Sequence, residues 1–111
     1  MEFLEQTKGA VRVLKPRGPL VATDAEQFKK RATEAASACL GRLVVDASAI
    51  AYVDSRGLEV IADLSEELTQ SGLSLKLCGT NETVREVLDL TELSNAVEHY
   101  ADVNSAVRSF L

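Results

Sequence analysis

The segment from Leu43 to Leu68 constrains the fold more than any other part of the chain. It opens on a short apolar run, Leu43-Val44-Val45, which is typical of a strand buried on both faces. A loop then leads to Asp54-Ser55-Arg56-Gly57, where an amphipathic helix pattern begins. Asp and Ser favour helix N-termini because their side-chain oxygens accept the free N–H groups of the first turn. The segment therefore predicts a strand, a loop and a helix whose positive end carries Ser55 next to Asp54.

Short strands are predicted on both sides of this segment. Residues 2–6 and 10–15 form two of them around the turn Lys8-Gly9, and the turn cluster Pro16-Arg17-Gly18-Pro19 predicts the end of the second. The remaining predicted strands are 42–46, 73–77 and 97–100. In the predicted strand 73–77, Leu73, Leu75 and Leu77 alternate with polar residues, as in a strand with one solvated face.

Four helices are predicted between and after these strands. The first begins with the capping box Thr23-Asp24-Ala25-Glu26 and runs to about Leu40, with Gly41 at the left-handed C′ position. The second spans about Ser55 to Gln70, the third follows Asn81, and the fourth follows Asp102. The order β-β-α-β-α-β-α-β-α predicts an α/β fold with one mixed, mostly parallel sheet of about five strands and four helices.

Length and charge limit the functional classes. The chain has 111 residues, which fits one domain over residues 1–111, and its formal net charge is −5. An acidic surface does not attract nucleic-acid phosphates or anionic lipids, so neither is an expected partner. There is no apolar run long enough for a signal peptide or a membrane span. Cys39 and Cys78 lie in apolar patterns, as reduced core cysteines do, and we expect a cytoplasmic protein that is a monomer or a weak dimer.

One face of the second predicted helix is acidic. It carries Glu59, Asp63, Glu66 and Glu67, together with Gln70, and no cation. Carboxylates at helical spacing repel one another slightly. The face is either simply solvated or a docking surface for a basic partner, and the sequence leaves both interpretations open.

The sequence offers no catalytic or metal-binding constellation. It lacks a Gly-x-Ser-x-Gly elbow, a phosphate-binding glycine loop and a cluster of metal ligands, and its only histidine, His99, stands in a predicted edge strand. A phosphoacceptor aspartate of the receiver type at Asp54 would need an acidic pair after the first strand, where Lys8-Gly9 stands. We therefore predict a protein that is not an enzyme and that uses no metal or cofactor.

The motif residues are similar to those of the STAS domain family, and within it the bacterial anti-sigma factor antagonists. The matching residues are Val45-Asp46-Ala47-Ser48, Tyr52-Val53-Asp54-Ser55 and Gly57-Leu58. The resemblance covers nearly the whole chain in length and element order, and it implies the STAS fold. Two positions depart from the family pattern. Arg56 stands where a small hydroxyl residue is usual, and Val21 stands about where many antagonists carry an Asp before the first helix.

The resemblance implies a partner-switching function. In such antagonists the Ser after the Asp is phosphorylated by a kinase that is also the anti-sigma factor, and a phosphatase resets the switch. Carried over by position, Ser55 is the phosphoacceptor. The expected partner-binding residues are Val21, Asp54, Ser55, Arg56, Gly57 and Glu59. The alternative is a STAS subunit that docks on a membrane lipid-transport ATPase complex without any switch.

Overall fold

The computed structural model describes residues 1–111 and contains one five-stranded sheet in the order β1-β2-β3-β4-β5. The strands are β1 (Glu2–Lys8), β2 (Val11–Arg17), β3 (Leu43–Asp46), β4 (Leu75–Cys78) and β5 (Val97–Tyr100). The helices are α1 (Ala22–Ala38), α2 (Ser55–Gln70), α3 (Glu82–Leu90) and α4 (Val103–Arg108), with a 3₁₀ turn at Leu93–Ala96. β1 pairs antiparallel with β2, and all other pairs are parallel. The predicted fold class is confirmed.

The helices cover both faces of the sheet. In β3, Leu43 and Val45 join the large core cluster that also contains buried residues of α1, α2 and α3. Val44, between them, belongs to a second cluster with Ala106 of α4. Both faces of the central strand are therefore buried, which is what its continuous apolar run predicts. No helix is both long enough and apolar enough to traverse a lipid bilayer.

The second strand runs further than its turn residues predict. β2 includes Pro16 and Arg17, which pair with Phe3 and Glu2 of β1. The strand therefore ends inside the predicted turn cluster, at Arg17 rather than at residue 15. Pairing of β2 with β3 extends only from Arg12 to Leu14, so Pro16 lies beyond that ladder. A proline is tolerated there because a strand without a second neighbour does not need every backbone N–H.

Both ends of α1 differ from the prediction. The helix begins at Ala22 with Val21 as N-cap and without a side-chain cap, so the predicted capping box at Thr23 is not used. It ends at Ala38, and Leu40 takes the left-handed C′ position with φ 55°. The N–H of Gly41 donates to the carbonyl of Ala36 at 2.7 Å, which completes a Schellman-type end.

Lys76 is buried, although the alternation of apolar and polar residues in β4 predicts that its side chain is exposed to solvent. Only 7% of the residue is exposed, because α4 and the C-terminal segment cover this face of the sheet. Its Nζ lies 2.9 Å from Glu98 Oε1 and 4.6 Å from the centre of the Phe110 ring. A buried ammonium needs such partners because desolvation of an unpaired charge is costly.

Glu98 makes stability depend on acidic pH. The Tyr100 hydroxyl and the Lys76 ammonium donate to its carboxylate and lower its pKa from 4.5 to about 2. A carboxyl with a lowered folded-state pKa stabilises the fold fully above the ordinary value and loses that contribution as the pH falls.

We therefore expect the free energy of unfolding to decline between pH 4.5 and about pH 2, in part through Glu98. In Glu98→Gln, part of this decline should disappear. Urea unfolding across that range measures it, with Glu86→Gln, an exposed glutamate of α3, as the matched control. Equal pH dependence of the two variants would contradict the assignment.

Candidate functional site

The loop between β3 and α2 is tied to the segment before α1. The N–H of Leu20 donates to the carbonyl of Tyr52 at 3.1 Å, and the N–H of Asp54 donates to the carbonyl of Leu20 at 3.2 Å. Leu20 and Val53 form an isolated parallel bridge. The start of α1 and the start of α2 therefore lie side by side at one edge of the sheet.

Asn81 holds the same loop from the other side. Its Nδ2 donates to the carbonyls of Ile50 and Ala51 at 3.0 and 3.1 Å. Its Oδ1 accepts the N–H of Val84 at 2.8 Å and so caps α3. The sequence predicts the cap, because Asn before a helix is a common signal, but the loop contact depends on tertiary structure.

The Asp54 carboxylate connects the two helix starts. Oδ1 accepts the N–H of Gly57 at 2.8 Å, which makes Asp54 the N-cap of α2. Oδ2 accepts the N–H of Ala22, the first residue of α1, at 3.0 Å. The bond from Gly57 is the main cause that lowers the pKa of the Asp54 carboxyl, and the bond from Ala22 adds to it. Asp54 is therefore ionised at neutral pH and satisfies donors of two helices.

Ser55 is the first residue of α2 and is exposed. The capping role falls to Asp54, so the Ser55 hydroxyl is not needed as the helix cap. A hydroxyl at this position faces solvent beside an ionised carboxylate at the positive end of a helix. That geometry leaves Ser55 accessible to a second protein.

Gly57 allows α2 to begin directly against the backbone of Leu20. A Cβ at position 57 would lie 2.3 Å from the Leu20 carbonyl oxygen, which is closer than any real Cβ contact. The glycine of the motif is thus required by close packing between the loop before α1 and the first turn of α2. The sequence places it in the motif but does not reveal its contact.

Arg56 joins α1 to α2. Its guanidinium contacts the carboxylate of Glu26 in α1, and Nη1 donates to Glu59 Oε2 at 2.5 Å. Further along, Lys29 of α1 pairs with Asp63 at 3.2 Å. The acidic face of α2 carries no cation of its own, as the sequence indicates, but cations lie beside it. Its first two carboxylates are paired with Arg56 and Lys29.

The structure brings most of the predicted partner-binding residues together. Val21 lies between Leu20 and Ala22, which both bond to Asp54, and Glu59 lies one turn beyond Ser55. The sequence analysis did not predict that Glu26 lies at this site. The only feature of the sequence that singled it out was its place in the capping box, which the structure does not use. Tyr52, which is 52% exposed, stands just before Val53 and Asp54 at the same edge.

No cluster of three or more His, Cys, Asp or Glu residues is placed to hold a metal ion. A cavity of about 520 Å³ lies between the C-terminal parts of α1 and α2 and is lined by Leu40, Leu64 and Leu73, among others. It is at the opposite ends of these helices from Ser55. The chemistry available at the helix starts is therefore that of an exposed hydroxyl and charged side chains.

Comparison with known proteins identifies the family. The family model of the STAS domain matches residues 4–106, and the chain belongs to this family. No curated protein matches the sequence significantly.

Solved structures of anti-sigma factor antagonists have the same fold. A crystal structure from Thermotoga maritima, assigned as such an antagonist, has a TM-score of 0.87 and 27% identity, covering 96% of this chain and 92% of that chain. An antagonist from Mycobacterium paratuberculosis has a TM-score of 0.82 and 20% identity, covering 97% and 92%. The antagonist SpoIIAA, in its unphosphorylated form, has a TM-score of 0.75 and 18% identity, covering 98% and 96%.

The close approach at Gly57 predicts the result of a substitution. Gly57→Ala should lower the free energy of unfolding by about 1–3 kcal/mol, because the added methyl group forces α2 away from Leu20. Ser55→Ala, at the exposed neighbour, is the control and should change it by less than about 0.5 kcal/mol. Urea unfolding compares the two. Equal stabilities would show that the start of α2 is not packed against Leu20.

Proposed function

We propose that this protein is a small regulatory binding module that engages a serine kinase, itself an anti-sigma factor, and that phosphorylation of Ser55 controls the complex. The observation that carries the proposal is the position of Ser55 as the exposed first residue of α2, next to a cap provided by Asp54. The STAS family match and the likeness to anti-sigma factor antagonists support it. The proposed surface consists of Val21, Asp54, Ser55, Arg56, Gly57 and Glu59.

The modification is a phosphoryl transfer. The Ser55 Oγ attacks the γ-phosphorus of ATP bound to the kinase, and the bond from that phosphorus to the ADP oxygen breaks. The hydroxyl proton passes to a base on the kinase. A phosphatase reverses the change by transferring the phosphoryl group to water. The STAS protein is the substrate in both steps and supplies no catalytic group.

The added phosphate changes the surface rather than strengthening the fold. It brings about −1.5 to −2 charge to a site that already holds the ionised Asp54. The positive end of α2 favours an anion, but Asp54 occupies that end and repels a second one. A partner that buries this surface without a cation would have to desolvate the phosphate, which is costly. Phosphorylation should therefore dissociate the complex.

Arg56 is compatible with this role despite its departure from the family pattern. Its guanidinium is held by Glu26 and Glu59, so its charge is neutralised within the protein. A kinase that approaches Ser55 meets a paired arginine. The antagonist SpoIIAA, whose structure is described in an unphosphorylated form, has the same fold and is consistent with a switch of this kind.

The site of modification can be tested directly. Incubation with the cognate serine kinase and ATP should give a phosphate-retarded band, because Ser55 is exposed at the start of α2. Ser55→Ala should remove the band. Ser48→Ala, at an exposed serine of the same loop, is the matched control and should keep it. A band that survives in Ser55→Ala would place the phosphate elsewhere.

The effect on the complex is a second measurement. Ser55→Ala should bind the kinase about as tightly as the unmodified chain, whereas Ser55→Asp should bind at least about tenfold more weakly because a charge is buried. Isothermal titration calorimetry measures both. Equal affinities would contradict the switch, and co-purification with a permease and an ATPase would instead favour the constitutive lipid-transport subunit.

A further inference from the structure

We propose that α1 has two alternative starts and that phosphorylation of Ser55 moves the helix from one to the other. The observed start is Ala22, which Asp54 holds. The alternative start is the capping box Thr23-Asp24-Ala25-Glu26, which the observed helix does not use. The inference rests on the proposed function only in taking Ser55 as the modified residue.

The observed start is unfavourable in itself. Ala22 has φ 47°, in the left-handed region that residues with a Cβ rarely adopt. Val21, the N-cap, contributes no side-chain hydrogen bond to the first turn. The one side chain that accepts the N–H of Ala22 is Asp54, at 3.0 Å and from a different helix. The N–H groups of Asp24 and Ala25 donate to the Val21 carbonyl at 2.9 and 3.3 Å, so Asp54 supplies the side-chain support of this start but not all of it.

The alternative start exchanges the backbone bonds to the Val21 carbonyl for two side-chain bonds. With Thr23 as N-cap, its hydroxyl accepts the N–H of Glu26, and the Glu26 carboxylate accepts the N–H of Thr23. Ala22 can then return to an extended conformation with negative φ. The core contacts of α1 are kept, because its first buried residues, Ala25 and Phe28, lie inside the shortened helix.

Both sequence neighbours of Ser55 favour the observed start. Asp54 accepts the N–H of Ala22, and Arg56 holds the Glu26 carboxylate that the capping box requires. The two contacts come from residues 54 and 56, on either side of the hydroxyl. A change of charge at Ser55 therefore acts on both.

A phosphate at Ser55 would weaken both contacts. The phosphate oxygens compete for the N–H groups of the first turn of α2, where the Asp54 carboxylate now accepts from Gly57. Repulsion between the two anions moves Asp54 away, and Ala22 loses its acceptor. The same phosphate attracts the Arg56 guanidinium, which weakens its pair with Glu26 and frees that carboxylate. The balance then shifts to the start at Thr23.

This shift carries the signal beyond the modified residue. Ala22 leaves the helix start and becomes extended, as Val21 before it already is, so the backbone next to Ser55 changes shape as well as charge. Because Asp54 links α1 to α2 directly, no change elsewhere in the sheet is needed. The affinity of a partner that contacts the start of α1 would then depend on phosphorylation through this change in conformation.

The test uses the full chain with phosphoserine installed at position 55 by genetic encoding, compared with the unmodified chain by two-dimensional NMR and hydrogen exchange. The Ala22 amide should exchange about tenfold faster in the phosphorylated chain because it loses one hydrogen bond. The Cα shift of Ala22 should move toward extended values. Unchanged exchange and shifts at Ala22 would overturn the proposal.

Thr23→Val is the matched variant, because valine keeps the shape of threonine without the hydroxyl. In the unmodified chain it should leave the spectrum of α1 unchanged, since the observed start uses no side-chain cap. In the phosphorylated chain it should return the Cα shift of Ala22 toward its unmodified value, because the alternative start has lost its cap. An extended Cα shift that persists in phosphorylated Thr23→Val would also overturn the proposal.

The outcomes separate this inference from the proposed function, because encoded phosphoserine needs no kinase. A restarted α1 with equal partner affinity in both forms would support the inference and contradict the proposed function. A large loss of partner affinity with an unchanged Ala22 amide would support the proposed function and contradict the inference.

Discussion

The Asp54 carboxylate accepts N–H groups from the first turns of two helices, and the arrangement of the functional edge depends on this pair of contacts. One oxygen caps α2, and the other holds the strained start of α1. An anion is suited to this role because both helix ends present unsatisfied donors and partial positive charge. Ser55 follows directly, so its exposure and its electrostatic environment are set by the same carboxylate.

The rest of the fold keeps this edge in place. The parallel strands β2, β3 and β4 are buried on both faces, and Asn81 and Leu20 tie the loop before α2 to the elements beside it. The buried Lys76 pairs with the partly exposed Glu98 on the α4 side of the sheet. The sheet thus fixes the positions of the loops from which α1 and α2 start.

Local signals account for the parts of the structure that were predicted well. The bounds of α2 at Ser55 and Gln70 are confirmed, because a polar cap and an apolar stripe with helical spacing are both encoded within the helix and its flanks. The same holds for the caps at Asn81 and Asp102, where each side chain accepts an N–H three residues ahead. The bounds of α1 were predicted less well. Its local capping box was outweighed by Asp54, which is 32 residues from Ala22 in the sequence.

The sequence by itself determined the order of the elements, the buried stripes and the placement of an acid and a hydroxyl at the start of α2, because hydrophobic periodicity and helix capping act over a few neighbouring residues. Only the tertiary structure decided three contacts. Asp54 accepts an N–H from the start of α1 as well as from α2, Arg56 pairs with Glu26, and α4 covers Lys76. Those contacts join residues that are distant in the chain. Their energies depend on how the helices dock on the sheet, and no local pattern in the sequence records that geometry.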